Sequence, residues 1–240
     1  MSFFKKVRNA RRRFCTAVVA AAGSSTRMGA GANKLLDPLG GIPVLAWTLR
    51  ALDQSVAVDA IVIAAREEDI LTFSDLCRTY GIGKPVKVVR GGSNRTESVL
   101  LAALEADPRT ELLAVQDGAR PLVTPELIDR VIMKADRCNA AVPVLPVKDT
   151  VKIVQEDHIA STPDRSTLRA VQTPQVFEAT LLKAALQAAL DADAPQTDDA
   201  AAVERLGKLV YYVDGEDTNI KITTPIDRMI AEAILAERLH

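Results

Sequence analysis

A loop rich in glycine and serine follows the first apolar run of the chain and carries two cations. The run CTAVV at 15–19 leads into AAAGSSTRMGAGANK at 20–34, which contains Arg27 and Lys34. Backbone N–H groups of small residues can approach phosphate oxygens, while Arg27 offers a bidentate guanidinium and Lys34 a point charge. These residue types predict a site for a phosphorylated ligand; the alternative is a surface loop with two solvated cations.

Two familiar nucleotide-binding motifs do not fit the chain. Gly29 and Gly31 are followed by Lys34 where a dinucleotide fingerprint needs its third glycine. The stretch GIGKP at 81–85 lacks both the first glycine of a P-loop and the hydroxyl after Lys84. The broken fingerprint, together with the lack of an obvious proton donor, argues against a nicotinamide-dependent oxidoreductase.

A second segment with suitable chemistry is RGGSNRTESV at 90–99. A strand ends in two glycines, and a helix begins beside Asn94, which forms a capping box with Glu97. The prediction of a capped helix holds for any function of the chain. The functional interpretation adds close approach of a base or ribose to Gly92, with polar groups supplied by Ser93 and Ser98.

A third segment, VQDGARP at 115–121, ends an apolar strand in a carboxylate. Asp117 stands where a Mg²⁺ ligand is expected, because one hard oxygen donor can combine with substrate phosphates and water around that ion. A lone aspartate after a strand is more often a turn residue or a helix cap. Its place opposite the first loop favours the metal-binding interpretation.

The predicted elements place these three segments at the ends of strands. Short apolar runs alternate with helical patterns, which indicates right-handed βαβ units in an α/β fold with a doubly wound, mostly parallel, Rossmann-like sheet. Ligands on such sheets bind at the carboxyl ends of the strands. The predicted strands are CTAVVAAA, DAIVIAA, PVKVVRG, ELLAVQD and NAAVPVLPV. The predicted helices are PVLAWTLRALDQ, EEDILTFSDLCRTY, ESVLLAALEAD and PELIDRVIMKAD.

Residues 146–172 interrupt this alternation. β-branched and polar residues alternate about a turn-like QEDH at 155–158, which predicts an antiparallel hairpin that projects from the domain as an arm. Such an arm either covers its own site or reaches a neighbouring subunit. Helical patterns return at EATLLKAALQAAL and DDAAAVERLG, followed by the strand LVYYVDG and a last helix from Pro225.

The first fourteen residues differ in composition from the rest. FFKKVRNARRRF at 3–14 carries six cations and no acid. We expect residues 1–14 to form a disordered basic leader and residues 15–240 a single domain. Paired arginines before an alanine-rich run also fit an export signal, but cleavage near Ala22 would remove the first strand. A polybasic patch for membrane or RNA is a third interpretation.

Composition excludes several other classes of function. The 240 residues are 48% hydrophobic, enough for a sizeable core. The net charge is −1, so we expect no nucleic acid partner, and no apolar run approaches the ~20 residues of a membrane helix. Three scattered cysteines and two histidines fit no disulfide framework, zinc site or Ser-His-Asp triad, and they indicate a cytoplasmic protein.

Eight motifs in register carry a resemblance to a known family. The order of loop, capped helix and aspartate resembles that of glycosyltransferase-A-like nucleotidyltransferases. Within them the chain resembles, from about residue 15 to 238, the 2-C-methyl-D-erythritol 4-phosphate cytidylyltransferases of the non-mevalonate isoprenoid pathway. The motifs are AAAGSSTRMG, NKLLDPLGGIPVLAWTL, GGSNRTESV, QDGARPLV, PVKDTVK, TPQVF, TDDAAAVE and NIKITTPID. QDGARP departs from the HDAARP that the family often has, without touching the expected ligand groups.

The resemblance implies roles for individual residues. Arg27 and Lys34 would hold the triphosphate, and Lys221 would join them as a catalytic cation. In NIKIT, Lys221 also looks like a cation in a short β-branched strand, which calls for a buried anionic partner. Residues implied to line the cytidine pocket are Ala21, Ala22, Gly23, Gly92, Ser93, Ser98 and Gly118. Residues implied to contact the methylerythritol phosphate are Asp117, Arg120, Thr150, Arg165, Thr173 and Thr197, with Asp117 also holding the metal.

The resemblance also implies a reaction and its partners. A phosphate oxygen of the polyol phosphate would attack the α-phosphorus of CTP and expel pyrophosphate, with Mg²⁺ or another divalent cation bound and no general base. A homodimer would form through the arm, so that Thr150 and Arg165 reach the partner's substrate. We expect no membrane partner. Two alternatives are a ribitol-5-phosphate cytidylyltransferase and a non-catalytic nucleotide-sensing domain; the presence of Arg27, Lys34 and Asp117 argues against the second.

Overall fold

The computed structural model describes residues 12–23, 33–194 and 196–239. Within these ranges the strands are β1 (Cys15–Ala20), β2 (Pro38–Leu39), β3 (Ile42–Pro43), β4 (Ala60–Ala65), β5 (Val86–Arg90), β6 (Leu112–Asp117), β7 (Ala140–Pro146), β8 (Ile153–Gln155), β9 (His158–Ser161), β10 (Arg169–Val171), β11 (Gln175–Glu178) and β12 (Tyr211–Asp214). The α-helices are α1 (Val44–Gln54), α2 (Ile70–Thr79), α3 (Arg95–Leu104), α4 (Pro125–Cys138), α5 (Ala179–Asp191), α6 (Asp199–Arg205) and α7 (Pro225–Leu239).

A mostly parallel sheet forms the centre of the molecule. β1 pairs in parallel with β4 on one side and with β6 on the other, and β5 extends the sheet beyond β4. β11 runs antiparallel between β6 and β7, and β12 pairs in parallel with β7. Every strand and helix predicted in the alternating part of the sequence is present, so the predicted α/β fold is confirmed.

β10 and β11 are two parts of one interrupted strand. β12 pairs with 141–144 of β7, while β10 pairs with 144–146 and β11 with 140–141. Since a strand has only two edges, β10 and β11 must lie on the same side of β7. The chain between them, 172–174, leaves the regular ladder and turns its side chains towards the ends of neighbouring strands.

Helices cover both faces of the sheet. Ala17 and Val19 of β1 point into a core formed with α1, α2, α4 and α7, whereas Val18 points into a second core formed with α3, α5 and α6. This alternation follows from the period of two in a strand, and burial on both faces explains why β1 is almost continuously apolar. No helix of the described ranges is long and apolar enough to cross a membrane.

The predicted arm is present between β7 and β10. β8 and β9 form a two-stranded antiparallel sheet of their own, and their residues are all exposed. The turn lies within the predicted QEDH, where Glu156 adopts a φ of 52°. The hairpin leaves Ile153, Val154 and Ile159 in contact with solvent.

The prediction of a disordered leader up to residue 14 is wrong at its last three residues. Arg12 forms an ion pair with Asp59 at 2.5 Å, and Arg13 forms one with Asp136 at 2.8 Å. The Phe14 carbonyl accepts hydrogen bonds from the N–H groups of Glu111 and Leu112, at the start of β6, at 2.9 and 3.0 Å. These contacts join the chain to the domain before β1 begins. Residues 1–11 of the predicted leader lie outside the described residues.

Candidate active site

A cavity of about 460 Å³ opens at the carboxyl ends of β1, β5 and β6. Parallel strands bring the residues that follow them to the same edge of the sheet, which explains why three distant segments meet there. The cavity contains ten of the residues implied by resemblance, namely Ala21, Ala22, Gly23, Lys34, Gly92, Ser93, Ser98, Asp117, Gly118 and Lys221. Other lining residues include Asn94, Arg95, Ala119 and Thr223.

The two glycines after β5 permit close approach at one wall of the cavity. A Cβ added to Gly91 would lie 2.5 Å from the Cβ of Ala22, and one added to Gly92 would lie 2.3 Å from the Glu97 side chain. The Gly91 N–H also donates to the Ala65 carbonyl at 2.8 Å, which continues the sheet past the end of β5. The segment after β1 therefore packs directly against the segment after β5.

The predicted cap of α3 is present with a shifted partner. Asn94 is the N-cap, and its side chain accepts from the Glu97 N–H at 2.9 Å. Glu97 reaches back to the N–H and hydroxyl of Ser93, both at 2.6 Å, one residue earlier than a standard capping box. The Ser98 hydroxyl accepts from the Gly92 N–H at 3.0 Å, so it orders this turn as well as lining the cavity.

A buried amide fixes the chain immediately before Lys34. Asn33 donates to the Asp69 carboxylate at 2.8 Å and accepts from the Leu35 N–H at 3.1 Å. Asp69 is buried and also binds Arg66 at 2.6 Å. The backbone on both sides of Lys34 is therefore held by the Asn33 side chain, and Lys34 lines the cavity from this position. Arg27, the other cation expected of this loop, lies outside the described residues.

Asp117 lies among three cations. Lys221 Nζ lies 3.0 Å and Arg120 Nε 3.4 Å from its Oδ2, and Arg95 Nη2 lies 3.7 Å from its Oδ1. Burial raises the pKa of the Asp117 carboxyl, but the charges of Lys221, Arg95 and Arg120 together outweigh burial, so the pKa lies below its ordinary value. Asp117 is the anionic partner expected for Lys221, although the expected strand around Lys221 is absent because 219–223 form a loop.

The sequence did not predict the pairing of Arg95 with Asp199. The two groups form bidentate hydrogen bonds at 3.0 and 2.7 Å, and the Asp199 side chain is fully enclosed. Burial lowers the pKa of Arg95, yet the Asp199 charge more than offsets it, so the pKa is raised and the guanidinium stays charged. Arg95 belongs to GGSNRTESV and Asp199 to TDDAAAVE, and the presence of both motifs in the family resemblance is the one sequence signal for this pair.

A second, smaller cavity of about 140 Å³ adjoins the first. It is lined by Arg120, Thr173 and Thr197, and it shares Arg95, Asp117 and Lys221 with the larger cavity. The Asp117 N–H donates to Thr173 Oγ1 at 3.1 Å, which fixes the threonine of the interrupted strand against the end of β6. The other lining residues include two buried amides that were not among the predicted site residues, Gln172 and Gln175.

Two implied substrate residues lie apart from both cavities. Thr150 and Arg165 are exposed at the base of the arm, and Arg165 donates to the Lys148 carbonyl at 2.7 Å. Neither residue lines the cavities of its own chain. A role for them at a substrate therefore requires either movement of the arm or a second subunit.

The carboxylates near the cavity limit the kind of metal site it can offer. In the part of the chain that the structure describes, no cluster of three or more acidic, histidine or cysteine residues could hold an ion. Asp117 is the one carboxylate among the residues named for the larger cavity. Its Oδ2 lies near two cations, Lys221 at 3.0 Å and Arg120 at 3.4 Å, and its Oδ1 lies 3.7 Å from Arg95. This donor set fits Mg²⁺, which takes one or two carboxylates and completes its shell with phosphates and water.

Sequence comparisons identify relatives along nearly the whole chain. The model of the family IspD: 2-C-methyl-D-erythritol 4-phosphate cytidylyltransferase matches residues 15–237. An enzyme of that name from Bacillus cytotoxicus is 44% identical over 220 residues, covering 92% of this chain and 97% of its own. One from Acaryochloris marina is 44% identical over 224 residues, covering 93% and 94%.

Solved structures agree with the sequence comparisons. The crystal structure of 4-diphosphocytidyl-2C-methyl-D-erythritol synthase from Anaerococcus prevotii superposes with a TM-score of 0.84 at 30% identity, covering 93% of this chain and 96% of that one. The cytidylyltransferase from Thermus thermophilus gives a TM-score of 0.73 at 32% identity. By sequence, fold and cavity, the chain belongs to the family of 2-C-methyl-D-erythritol 4-phosphate cytidylyltransferases.

Proposed function

We propose that this protein transfers the cytidylyl group of CTP to 2-C-methyl-D-erythritol 4-phosphate, giving 4-diphosphocytidyl-2-C-methyl-D-erythritol and pyrophosphate. The observation that carries the proposal is the meeting of Lys34, Asp117 and Lys221 at one cavity lined by glycine and alanine backbone. A triphosphate requires both close backbone approach and positive charge. Membership of the cytidylyltransferase family supports the choice of CTP and of the polyol phosphate.

The two adjoining cavities suit the two substrates. CTP occupies the larger one, with its base and ribose against 92–93 and 21–23 and its phosphates towards Lys34. The polyol phosphate occupies the smaller one, among Arg120, Thr173 and Thr197. Because Asp117 and Lys221 line both cavities, the phosphate oxygen of one substrate and the α-phosphorus of the other can meet at the junction of the cavities.

Catalysis by this site is positioning and neutralisation of charge. The attacking phosphate oxygen is already anionic near neutral pH, so no residue has to remove a proton. Lys34 and Lys221 stabilise the charge that builds on the phosphates, and Asp117 keeps Lys221 and Arg120 directed at the junction of the cavities.

Mg²⁺ is the cofactor that we propose for this reaction. Asp117 would hold it through Oδ1, with CTP phosphates and water as the remaining ligands. The bound ion would supply additional neutralisation of the triphosphate. Other divalent cations of similar size would substitute for it in part.

We also propose a cytoplasmic homodimer joined through the arm. The support is the exposed apolar hairpin, together with the finding that Thr150 and Arg165 line neither cavity of their own chain. In the dimer these two residues complete the polyol phosphate site of the partner. The cysteines of the described ranges, Cys15, Cys77 and Cys138, form no disulfides, which agrees with a reducing compartment.

A pyrophosphate-release assay tests the proposed reaction. The protein is incubated with CTP, Mg²⁺ and either 2-C-methyl-D-erythritol 4-phosphate or ribitol 5-phosphate, each at matched concentrations. We expect turnover with the first polyol phosphate, a much lower kcat/KM with the second, and loss of both on addition of EDTA. Preference for ribitol 5-phosphate, or turnover that EDTA leaves unchanged, would refute the substrate or the metal assignment respectively.

A further inference from the structure

Asn219 anchors the loop that carries Lys221. This loop, 215–224, joins β12 to α7 without a strand or helix of its own. Asn219 is completely buried, whereas the Lys221 side chain is 41% exposed. The Asn219 amide donates to the Thr173 carbonyl at 2.9 Å and to Gln172 Oε1 at 3.4 Å. These side-chain bonds tie the loop to the interrupted strand, in addition to the backbone bond from the Asn219 N–H to the Glu216 carbonyl at 2.9 Å.

Gln172 provides the second tie between this loop and the sheet. Its Nε2 donates to the carbonyls of Glu216 and Asn219 at 2.9 and 3.3 Å, and its Oε1 accepts from the Glu216 N–H at 3.2 Å. Gln172 itself is buried where β10 and β11 are interrupted. The interruption of the strand thus frees an amide side chain that bonds the loop at two points.

The same contacts lead from Asn219 to Asp117. Thr173, which accepts the Asn219 amide, also accepts the Asp117 N–H. Arg120 donates to the Asn219 carbonyl at 2.7 Å while its Nε lies 3.4 Å from Asp117 Oδ2. Lys221 reaches that same oxygen at 3.0 Å. Asn219 is therefore bonded directly to two of the groups that surround the carboxylate.

We infer that Asn219, supported by Gln172, is a positioning residue that fixes Lys221 against Asp117 at the junction of the two cavities. On the other side of Lys221, the Ile222 N–H donates to the Ala119 carbonyl at 2.8 Å, so the lysine backbone is held from both sides. Asn219 Oδ1 is buried without a partner among the described residues. A buried oxygen without a hydrogen-bond partner lowers stability, so stability alone does not explain why this position holds an amide.

The inference rests on the proposed function, because it requires Lys221 to act in turnover. A double-mutant cycle on kcat tests the positioning role of Asn219 separately from the catalytic role of Lys221. We expect Asn219→Ala to lower kcat between about 10- and 100-fold in the wild-type background, as displaced catalytic groups do. In a Lys221→Ala background the same change lowers kcat by less than about two-fold, since the group that it positions is gone.

Equal factors in the two backgrounds would overturn the inference and leave the proposed function standing. Wild-type kcat in Lys221→Ala alone would remove the proposed role of Lys221 and the inference with it. If Asn219→Ala does not fold, Gln172→Met is measured in the same cycle, because it has a similar volume and lacks the amide bonds to Glu216 and Asn219.

A matched control distinguishes positioning from simple loss of stability. Ser55 is also buried and hydrogen-bonded, to Asp129 at 2.5 Å, but it lies between α1 and β4, away from both cavities. We expect Ser55→Ala to lower the melting temperature without changing kcat. A loss of kcat in Ser55→Ala as large as in Asn219→Ala would show that both variants act through stability, and would contradict the inference.

Discussion

Lys34 is the residue on which the proposed neutralisation of the triphosphate depends most directly within the described chain. We expect Lys34→Ala to lower kcat by roughly 10²- to 10³-fold, the usual cost of removing a group aimed at charge that develops in the transition state. Circular dichroism and the melting temperature should stay close to wild type. Lys208→Ala is the control, because Lys208 is exposed and distant from the site. Near-normal turnover in folded Lys34→Ala would contradict the role.

Asp117 is expected to matter for stability as well as for activity. Asp117→Asn leaves Lys221, Arg120 and Arg95 facing one another without the carboxylate between them. Removing one member of a buried ion pair costs about 3–5 kcal/mol, and the 41% exposure of the Lys221 side chain reduces that cost, so the urea midpoint should fall along with turnover. An unchanged urea midpoint would mean that Asp117 does not stabilise the folded protein by offsetting the charges of the three cations.

At the residue scale, the sequence predicted the cations and small residues of the cavity but not their partners. Lys34, Gly92 and Asp117 lie where local patterns placed them, at the ends of strands. The pairing of Arg95 with Asp199 joins residues 104 positions apart, and no local spacing encodes such a contact. The side-chain bonds of Asn219 to Thr173 and Gln172 span 46 and 47 positions, which is why its role emerges only from the folded structure.

At the element scale, the segments after β1 and β5 pack so closely that adding one methyl group at Gly91 is predicted to weaken CTP binding. Gly91→Ala would place a Cβ 2.5 Å from that of Ala22, so the wall of the cavity must shift. We expect a raised KM for CTP with a smaller change in kcat. Gly83→Ala is the control, because a Cβ there meets atoms no closer than 3.8 Å and should leave both constants unchanged. An unaltered KM in Gly91→Ala would refute the tight contact.

The first turn of α7 predicts a pH-dependent contribution to stability. Asp227 accepts from the Thr223 hydroxyl and from the N–H groups of Thr223 and Thr224 at 2.7–2.8 Å. Burial tends to raise the pKa of Asp227, but these hydrogen bonds outweigh it and lower the pKa from 3.8 to about 2. Because the folded pKa is depressed, this stabilisation is present above about pH 4 and disappears as the pH falls through about 2.

Asp227→Asn tests that contribution. We expect the variant to lose about 1 kcal/mol of the free energy of unfolding at pH 7, the usual effect of a helix cap. The difference from wild type should shrink at pH 3, where part of the wild-type advantage has already gone. Urea titrations at the two pH values measure this difference in the free energy of unfolding. A difference that is constant or larger at pH 3 would contradict the assigned pKa.

The elements were largely predictable, and the failures have physical causes. Apolar runs of suitable length predicted the strands and helices of the alternating part. Each strand buries both of its faces, and each helix buries one apolar stripe. The β-branched NIKIT looked like a strand, yet side-chain bonds from Asn219 and backbone bonds from the N–H groups of Asn219 and Ile222 hold it as a loop. Tertiary contacts outweighed local propensity there. The interruption between β10 and β11 had no local signature either.

At the scale of the whole molecule, subunit mixing tests the proposed dimer and its shared site. If Arg165 acts on the partner's substrate, a heterodimer of Lys34→Ala and Arg165→Ala chains contains one intact site. Refolding the two inactive variants together should then restore about a quarter of wild-type activity, since half of randomly formed two-fold dimers are mixed. Absence of recovery, with dimers present by sedimentation, would place Arg165 at the site of its own chain.

The most direct test of the whole account is a crystal structure of the protein with CTP and Mg²⁺. We predict that CTP lies in the cavity at the carboxyl ends of β1, β5 and β6, with its triphosphate at Lys34 and the ion on Asp117. Density for CTP away from this cavity, or a metal that does not contact Asp117, would contradict the account.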